Sequence, residues 1–266
     1  MLLNKIRFTA GYATGLKYPT TMPEFTHFMK SKSERTRRAV NAPANHQMRI
    51  AFGDRGKIKK GKRNIMFKRP DKKLIDGEWI KIELLNPQLH RDDLFQMTNS
   101  SNSDSIFTFM SFGPFKDKDE FNIWLENQAE LSDRLTYSIY SKRLQKYVGM
   151  YSIINIDVAN GKAELGSIWY GKCAQRTEIN TETTYRMLCY LFEDLKYRRI
   201  EWKCDNKNIA SKKAALRLGF EYEGLFRKHM IVKTINRDTA WFSIIDDEWL
   251  MTKENIKHKL LTEFYE

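Results

Sequence analysis

The positive charge of this 266-residue chain is confined to its first 73 residues. Nineteen of the 46 lysines and arginines lie there against four acids (Glu24, Glu34, Asp54, Asp71), a balance of +15. The rest of the chain holds 27 bases against 29 acids, or −2. A segment that repels itself and lacks a sustained hydrophobic period cannot bury a core, so the foldable part is the near-neutral remainder. Met1 to Lys73 shows neither a period of 2 nor one of 3.6. It clusters charge at Arg35–Arg38 and between Arg55 and Arg63, and Pro19, Pro23, Pro43 and Pro70 punctuate it. Residues 1–75 are therefore expected to form a basic, largely disordered arm: a solvated tail, or a contact for RNA, ribosome or acidic protein. Its first ~20 residues carry one arginine and no serine, a weak match to a mitochondrial transit peptide, and no apolar stretch precedes a small-residue cleavage site.

After the arm the pattern is that of a compact domain, and a hydrophobic content of 41% with 13% aromatics is enough to fill its core. Glu78 to Leu85 alternates apolar and polar residues as a strand does, and Pro87 stops it. Leu89–Met97 and Lys116–Arg134 read as helices, the second with Phe121, Trp124, Leu125 and Ala129 on one face. Strands are expected at Leu135–Tyr140, Tyr147–Ile156 and Lys162–Tyr170, the last two joined by Asn160-Gly161, the strongest hairpin signal in the chain. A helix from about Asn180 to Lys196, a strand Arg198–Cys204, a helix Asn208–Leu218 and strands Phe220–Val232 and Asp238–Ile245 follow. The order predicts an α/β fold over residues 76–252, a mixed sheet with helices on its faces, and residues 253–266 form a C-terminal helical tail.

Several classes are disfavoured. Three cysteines without CxxC spacing argue against a disulfide framework or zinc ribbon and for a reducing compartment, read as cytoplasmic, with mitochondrial or nuclear placement left open by the arm. Five scattered histidines form no HExxH pair, so no metal is expected. No run approaches the ~20 apolar residues of a membrane span, so no membrane partner is expected.

Helix N-termini present unpaired N–H groups and partial positive charge, which makes each strand-loop-helix turn a candidate anion site. Two such turns occur. In Gln175-Arg-Thr-Glu-Ile-Asn-Thr181, Thr177 can donate a hydroxyl to phosphate and Arg176 can pair with it bidentately. In the second, Asn208 reads as an N-cap, Ser211 stands three residues later, and Gly219 ends the helix in the left-handed region.

The ordered set Arg199-Ile-Glu-Trp-Lys-Cys-Asp205, Asn208-xx-Ser211, Leu218-Gly-Phe220, Glu223-Gly224 and Arg237-Asp-Thr-Ala-Trp-Phe242 resembles the GNAT acetyltransferase superfamily. It is most similar to the RimJ/RimL branch of ribosomal-protein N-terminal acetyltransferases and their fungal relatives, over about Asp76 to Trp249. The resemblance implies a mixed, mostly antiparallel sheet of seven strands flanked by about four helices. Its fourth and fifth strands would splay to admit acetyl-CoA as co-substrate. It further implies that the Gly166–Gly171 segment, with Trp169 and Tyr170, meets the pantetheine arm. Gln175, Arg176, Thr177, Glu178, Ile179, Asn180 and Thr181 would cradle the pyrophosphate, Asn208 would hold the pantetheine, and Ser211 would protonate the leaving thiolate. The family loop has the form Q/R-x-x-G-x-G/A. Here Glu178 replaces its glycine and Asn180 its small residue, so phosphate binding requires Glu178 to point to solvent while Arg176 and Thr177 face the phosphates.

Such enzymes work by direct attack of a primary amine on the thioester in a ternary complex, so Cys204 is more simply a buried small residue than a nucleophile. A free α-amine, with a pKa of ~7.7–8.0, is partly neutral at pH 7 and a lysine at ~10.4 is not, which favours a protein N-terminus as acceptor. Glu201 and Asp238 are the candidate bases, each with a structural ion pair as its alternative. Two other readings stay open: acetylation of a small amine such as a polyamine or antibiotic, and a degenerate fold whose arm binds RNA or ribosomes.

Overall fold

The computed structural model describes residues 67–71, 73–99 and 103–264. The expectations placed on the basic arm before residue 67 lie outside the described residues. Among them, eight strands form one sheet: β1 (Leu74–Asp76), β2 (Ile80–Leu84), β3 (Leu135–Ser141), β4 (Lys146–Asp157), β5 (Lys162–Tyr170), β6 (Arg199–Asp205), β7 (Glu221–Val232) and β8 (Ile235–Ile245). They lie in the order β1-β2-β3-β4-β5-β6-β8-β7, and every neighbour is antiparallel except β5 with β6. Five α-helices accompany them: α1 (Pro87–Thr98), α2 (Lys118–Glu130), α3 (Glu178–Cys189), α4 (Ile209–Arg217) and α5 (Asp246–Glu263). None is long and apolar enough to cross a membrane.

The mixed, mostly antiparallel sheet is the expected one, with one strand and one helix more. Leu74–Asp76 pairs with β2 as an edge strand, which a three-residue segment is too short to announce by alternation. The residues just before it also lie on the domain. Phe67 N donates to Val158 O (3.1 Å) and its ring meets Tyr197 edge-on, while Asp71 N donates to the Tyr190 hydroxyl (2.8 Å). The extra helix is α5, which runs unbroken through residue 252 and buries Trp249, Thr252, Ile256 and Leu260. Trp249 stacks on Phe192 with centroids 5.1 Å apart. Residues 253–263 are thus part of the packed domain, not a separate tail.

Two local devices position the site. The Asn160-Gly161 turn closes the β4–β5 hairpin, with Gly161 at φ 61° and the Asp157 carboxylate accepting from the Ala159 and Asn160 N–H groups. Farther along, Met150 pairs with Trp169 and Ser152 with Gly166, so three steps on β5 oppose two on β4. The extra residue is a bulge, with Ser167 at φ 51°, and a bulge bends its strand. On its other side β5 pairs with β6 only through Lys162↔Arg199, Ala163↔Ile200 and Glu164↔Glu201. Beyond Glu164 the two strands part into a fork. This is the expected splay of the fourth and fifth strands, which are β5 and β6 once the added edge strand is counted.

Candidate active site

The fork leaves the β6-facing edge of β5 without a strand partner from Leu165 to Tyr170. At its open end, after Tyr170, the chain turns into α3. Gln175 Nε2 donates back to Tyr170 O (2.9 Å), and Arg176 takes a left-handed backbone at φ 62°. The left-handed position is therefore Arg176 and not Glu178, which is already helical. That is why a glycine is dispensable at residue 178.

Side-chain roles in this loop differ from those expected. Thr177 caps α3: its Oγ1 accepts from Ile179 N (3.4 Å) and donates to Ala174 O (2.8 Å), so the hydroxyl is committed to protein. Glu178 does not point to solvent. It is buried, and Arg143 from the β3–β4 turn approaches its carboxylate at 3.5 Å, in the first turn of a helix where negative charge is favoured. Ile179 is fully buried, and Thr181 Oγ1 accepts from Arg217 Nη1 (2.7 Å). Arg176 is the exposed cation of the loop. The buried polar atoms near this end without a hydrogen-bond partner among the described residues include Trp169 Nε1 on β5 and Asn180 Oδ1 in the first turn of α3. Buried polar atoms ordinarily find one, so a bound polar chain along the fork would complete both.

On the other branch, Ile200, Trp202 and Cys204 turn to one face of β6 and Arg199, Glu201 and Lys203 to the opposite one, as strand alternation requires. Asn208 caps α4, its Oδ1 accepting from Ser211 N at 3.0 Å. Ser211 Oγ accepts from Trp202 Nε1 (3.0 Å), which uses an acceptor lone pair, and its hydroxyl also bonds the Cys204 sulfur. Beside it, burial pushes the Cys204 thiol up, which makes it a poor nucleophile. Ser211 and Glu201 thus lie on opposite faces of one strand at the edge of the fork.

The face carrying Glu201 holds a buried ionic network. Glu201 Oε1 accepts from Arg199 Nε (2.9 Å), and its Oε2 lies 2.8 Å from Lys203 Nζ. Lys203 Nζ also donates to Glu164 Oε2 (2.8 Å), which takes a second bond from Asn155 Nδ2 (2.6 Å). Arg199 forks onto Glu223. Burial pushes the Glu201 carboxyl up, but the Lys203 and Arg199 bonds outweigh it and hold the group below its usual range. Glu164, Lys203 and Asn155 were not singled out from sequence. The available signal was a lone acid inside the apolar run Ala163-Glu-Leu165 and the i, i+2 spacing of Glu201 and Lys203.

Asp238 stands elsewhere. Five residues separate it along β8 from Ser243, the register partner of Glu201, about 17 Å of strand. Its Oδ1 accepts from Lys228 N (2.7 Å) and Asn236 Nδ2 (3.0 Å), which hold the carboxyl below its usual range. It secures the β7–β8 hairpin and does not join Glu201.

The family model for the acetyltransferase (GNAT) domain matches residues 81–221, just over half of the chain. The chain belongs to the GNAT acetyltransferase family. A GCN5-related N-acetyltransferase from Brucella melitensis superposes with a TM-score of 0.74 at 37% identity, over 76% of this chain and 91% of that one. YdaF of Bacillus subtilis (strain 168), which carries the provisional name of a ribosomal N-acetyltransferase, is 29% identical over 126 residues, 47% of this chain and 67% of its own. An acetyltransferase from Salmonella typhimurium that modifies the N-terminal serine of ribosomal protein L7/L12 shares the fold (TM-score 0.56, 18% identity, 64% of this chain and 96% of that one). The GNAT chain is an N-acetyltransferase that uses acetyl-CoA as co-substrate and an amine as acceptor.

Proposed function

We propose that this GNAT enzyme acetylates the α-amine of a protein N-terminus at the fork between β5 and β6. The observation that carries the reading is the fork itself, with unpartnered polar atoms at its open end and buried carboxylates where the strands meet. Trp169, Asn180, the loop from Gln175 to Thr181 and the capped start of α4 would hold acetyl-CoA, with Arg176 serving the phosphates. The acetyl group makes the carbonyl electrophile. The amine attacks it, a C–N bond forms as the C–S bond breaks, and Ser211, held by Trp202, would give its hydroxyl proton to the leaving thiolate.

Glu164 and Glu201 supply the negative face that receives the acceptor. Glu201, held ionised by two cations, is a weak base. The site therefore suits an amine with a useful neutral fraction at pH 7, which an α-amine has and a lysine lacks. The ribosomal name of YdaF supports a protein acceptor. The experiment is thiol release from acetyl-CoA with DTNB against a panel of N-terminal peptides, lysine peptides with blocked termini, and small amines. Preference for free N-termini is expected. Turnover with polyamines or other small amines and with no peptide would overturn the protein-acceptor reading.

A further inference from the structure

Glu164 and Glu201 are register partners on adjacent parallel strands, and both are buried, at 6% and 5% exposure. Like charges directly opposite each other repel, and burial strengthens the repulsion. One ammonium resolves it. Lys203 Nζ lies 2.8 Å from each carboxylate and 3.8 Å from the centroid of the Trp241 ring, with Trp241 its register partner on β8. Two anionic oxygens and an indole face around a single charge make a complete cation site. The other charged groups nearby leave this place to Lys203. Arg199 is committed to the far oxygen of Glu201, to Glu223 and to Ser243 Oγ. Arg134 is paired with Asp133, and Lys162 acts on Glu201 only at a distance.

We propose that Lys203 is a positioning residue for the acceptor end of the fork: its ammonium fills a cation site built by Glu164, Glu201 and Trp241 and holds both carboxylates where the incoming amine must meet them. The inference rests on the acetyl-transfer reading for its catalytic consequence, but the cation site itself stands on side-chain geometry alone. Each carboxylate keeps an oxygen that Lys203 does not bond: Oε1 of Glu201 is taken by Arg199, and Oε1 of Glu164 remains for a second ammonium. Lys203 thus sets which carboxylate is presented.

The test compares the full-length chain with Lys203→Ala, with and without propylammonium, which matches the four heavy atoms the substitution deletes, and scores acetylated peptide so that acetylation of the added amine does not count. The variant is expected to lose about tenfold or more in kcat, with KM for acetyl-CoA changed less than about twofold. The acid limb of its rate profile moves to higher pH, because Glu201 has lost a cation that keeps it ionised. Added propylammonium raises its melting temperature by about 3–5 °C at tenfold over Kd and restores part of kcat, while the wild type responds to neither. Lys203→Met, which keeps the stem and so occupies the hole, should lose turnover and ignore the cation; if Lys203→Ala does not fold, the Met variant's kcat and pH profile decide. Wild-type turnover in either variant, or an alanine variant whose melting ignores the cation, overturns the proposal. If the wild type acetylated no amine, the acetyl-transfer reading would fall, and the cation-dependent melting would still decide the site.

Discussion

Trp202 Nε1 donates to Ser211 Oγ across 3.0 Å and ties one branch of the fork to the first turn of α4. The bond orients a hydroxyl that also meets the Cys204 sulfur, and it joins residues nine apart that the strand and helix periods alone do not bring together.

Ser211→Ala is therefore expected to lower kcat about 10- to 100-fold, the size of a general-acid contribution at its lower end, with little change in KM for acetyl-CoA. It also strands a buried indole N–H, at about 1–3 kcal/mol of stability. Trp202→Phe removes the donor and keeps the serine, so its turnover should fall less. Steady-state kinetics of both variants check this, and an unaltered kcat in Ser211→Ala would remove the proton-donor role.

Arg176 combines an exposed guanidinium with a left-handed backbone. Arg176→Gly relieves roughly 1 kcal/mol of backbone strain and loses a comparable amount by freeing the unfolded chain, so stability should hardly move. KM for acetyl-CoA should rise by about tenfold, and this loss should shrink at high salt because it is electrostatic. A destabilised variant with unchanged KM would contradict the assignment of this side chain to phosphate.

Asp238→Asn should keep kcat/KM within about threefold of wild type, because the carboxylate serves the hairpin and lies far from Glu201. Its native pKa is lowered, so the stability it lends is present above the unfolded value near 4 and is lost as pH falls through the native one. Acid melting curves of wild type and variant should converge once pH falls below the lowered native value and separate above it. A large rate loss at unchanged stability would return Asp238 to the list of candidate bases.

Truncation after Thr252 should cost about 3–6 kcal/mol, from the burial of Ile256 and Leu260 at roughly 1.5–3 each. At about 2–4 °C per kcal/mol the melting temperature should fall by roughly 6–24 °C. A truncated chain that melts like the full one would show that α5 contributes nothing past residue 252.

The order of strands and helices, the β4–β5 hairpin and the caps at Asn208 and Gly219 could be read from residue order, because each rests on contacts within a few positions: alternation, a turn dipeptide, a side chain reaching the next amide. The edge strand Leu74–Asp76 and the packing of Phe67 were hidden, since so short a segment has no period and its partners lie far along the chain. The same holds for the direction of Glu178. Loop sequence left it open, with solvent as the direction that phosphate binding required, and only the β3–β4 turn, which delivers Arg143, explains its burial.

Local chemistry thus determined which segments become strands, where helices begin, and that two strand-to-helix turns occur. Tertiary structure decided which charges share a face. Alternation puts Glu201 and Lys203 on one side of β6, but the meeting with Glu164 needs the parallel register of β5, and the one with Trp241 needs β8 beside them. Ionic contacts depend on distances of about 3 Å between residues tens of positions apart, and only the closed sheet sets those distances.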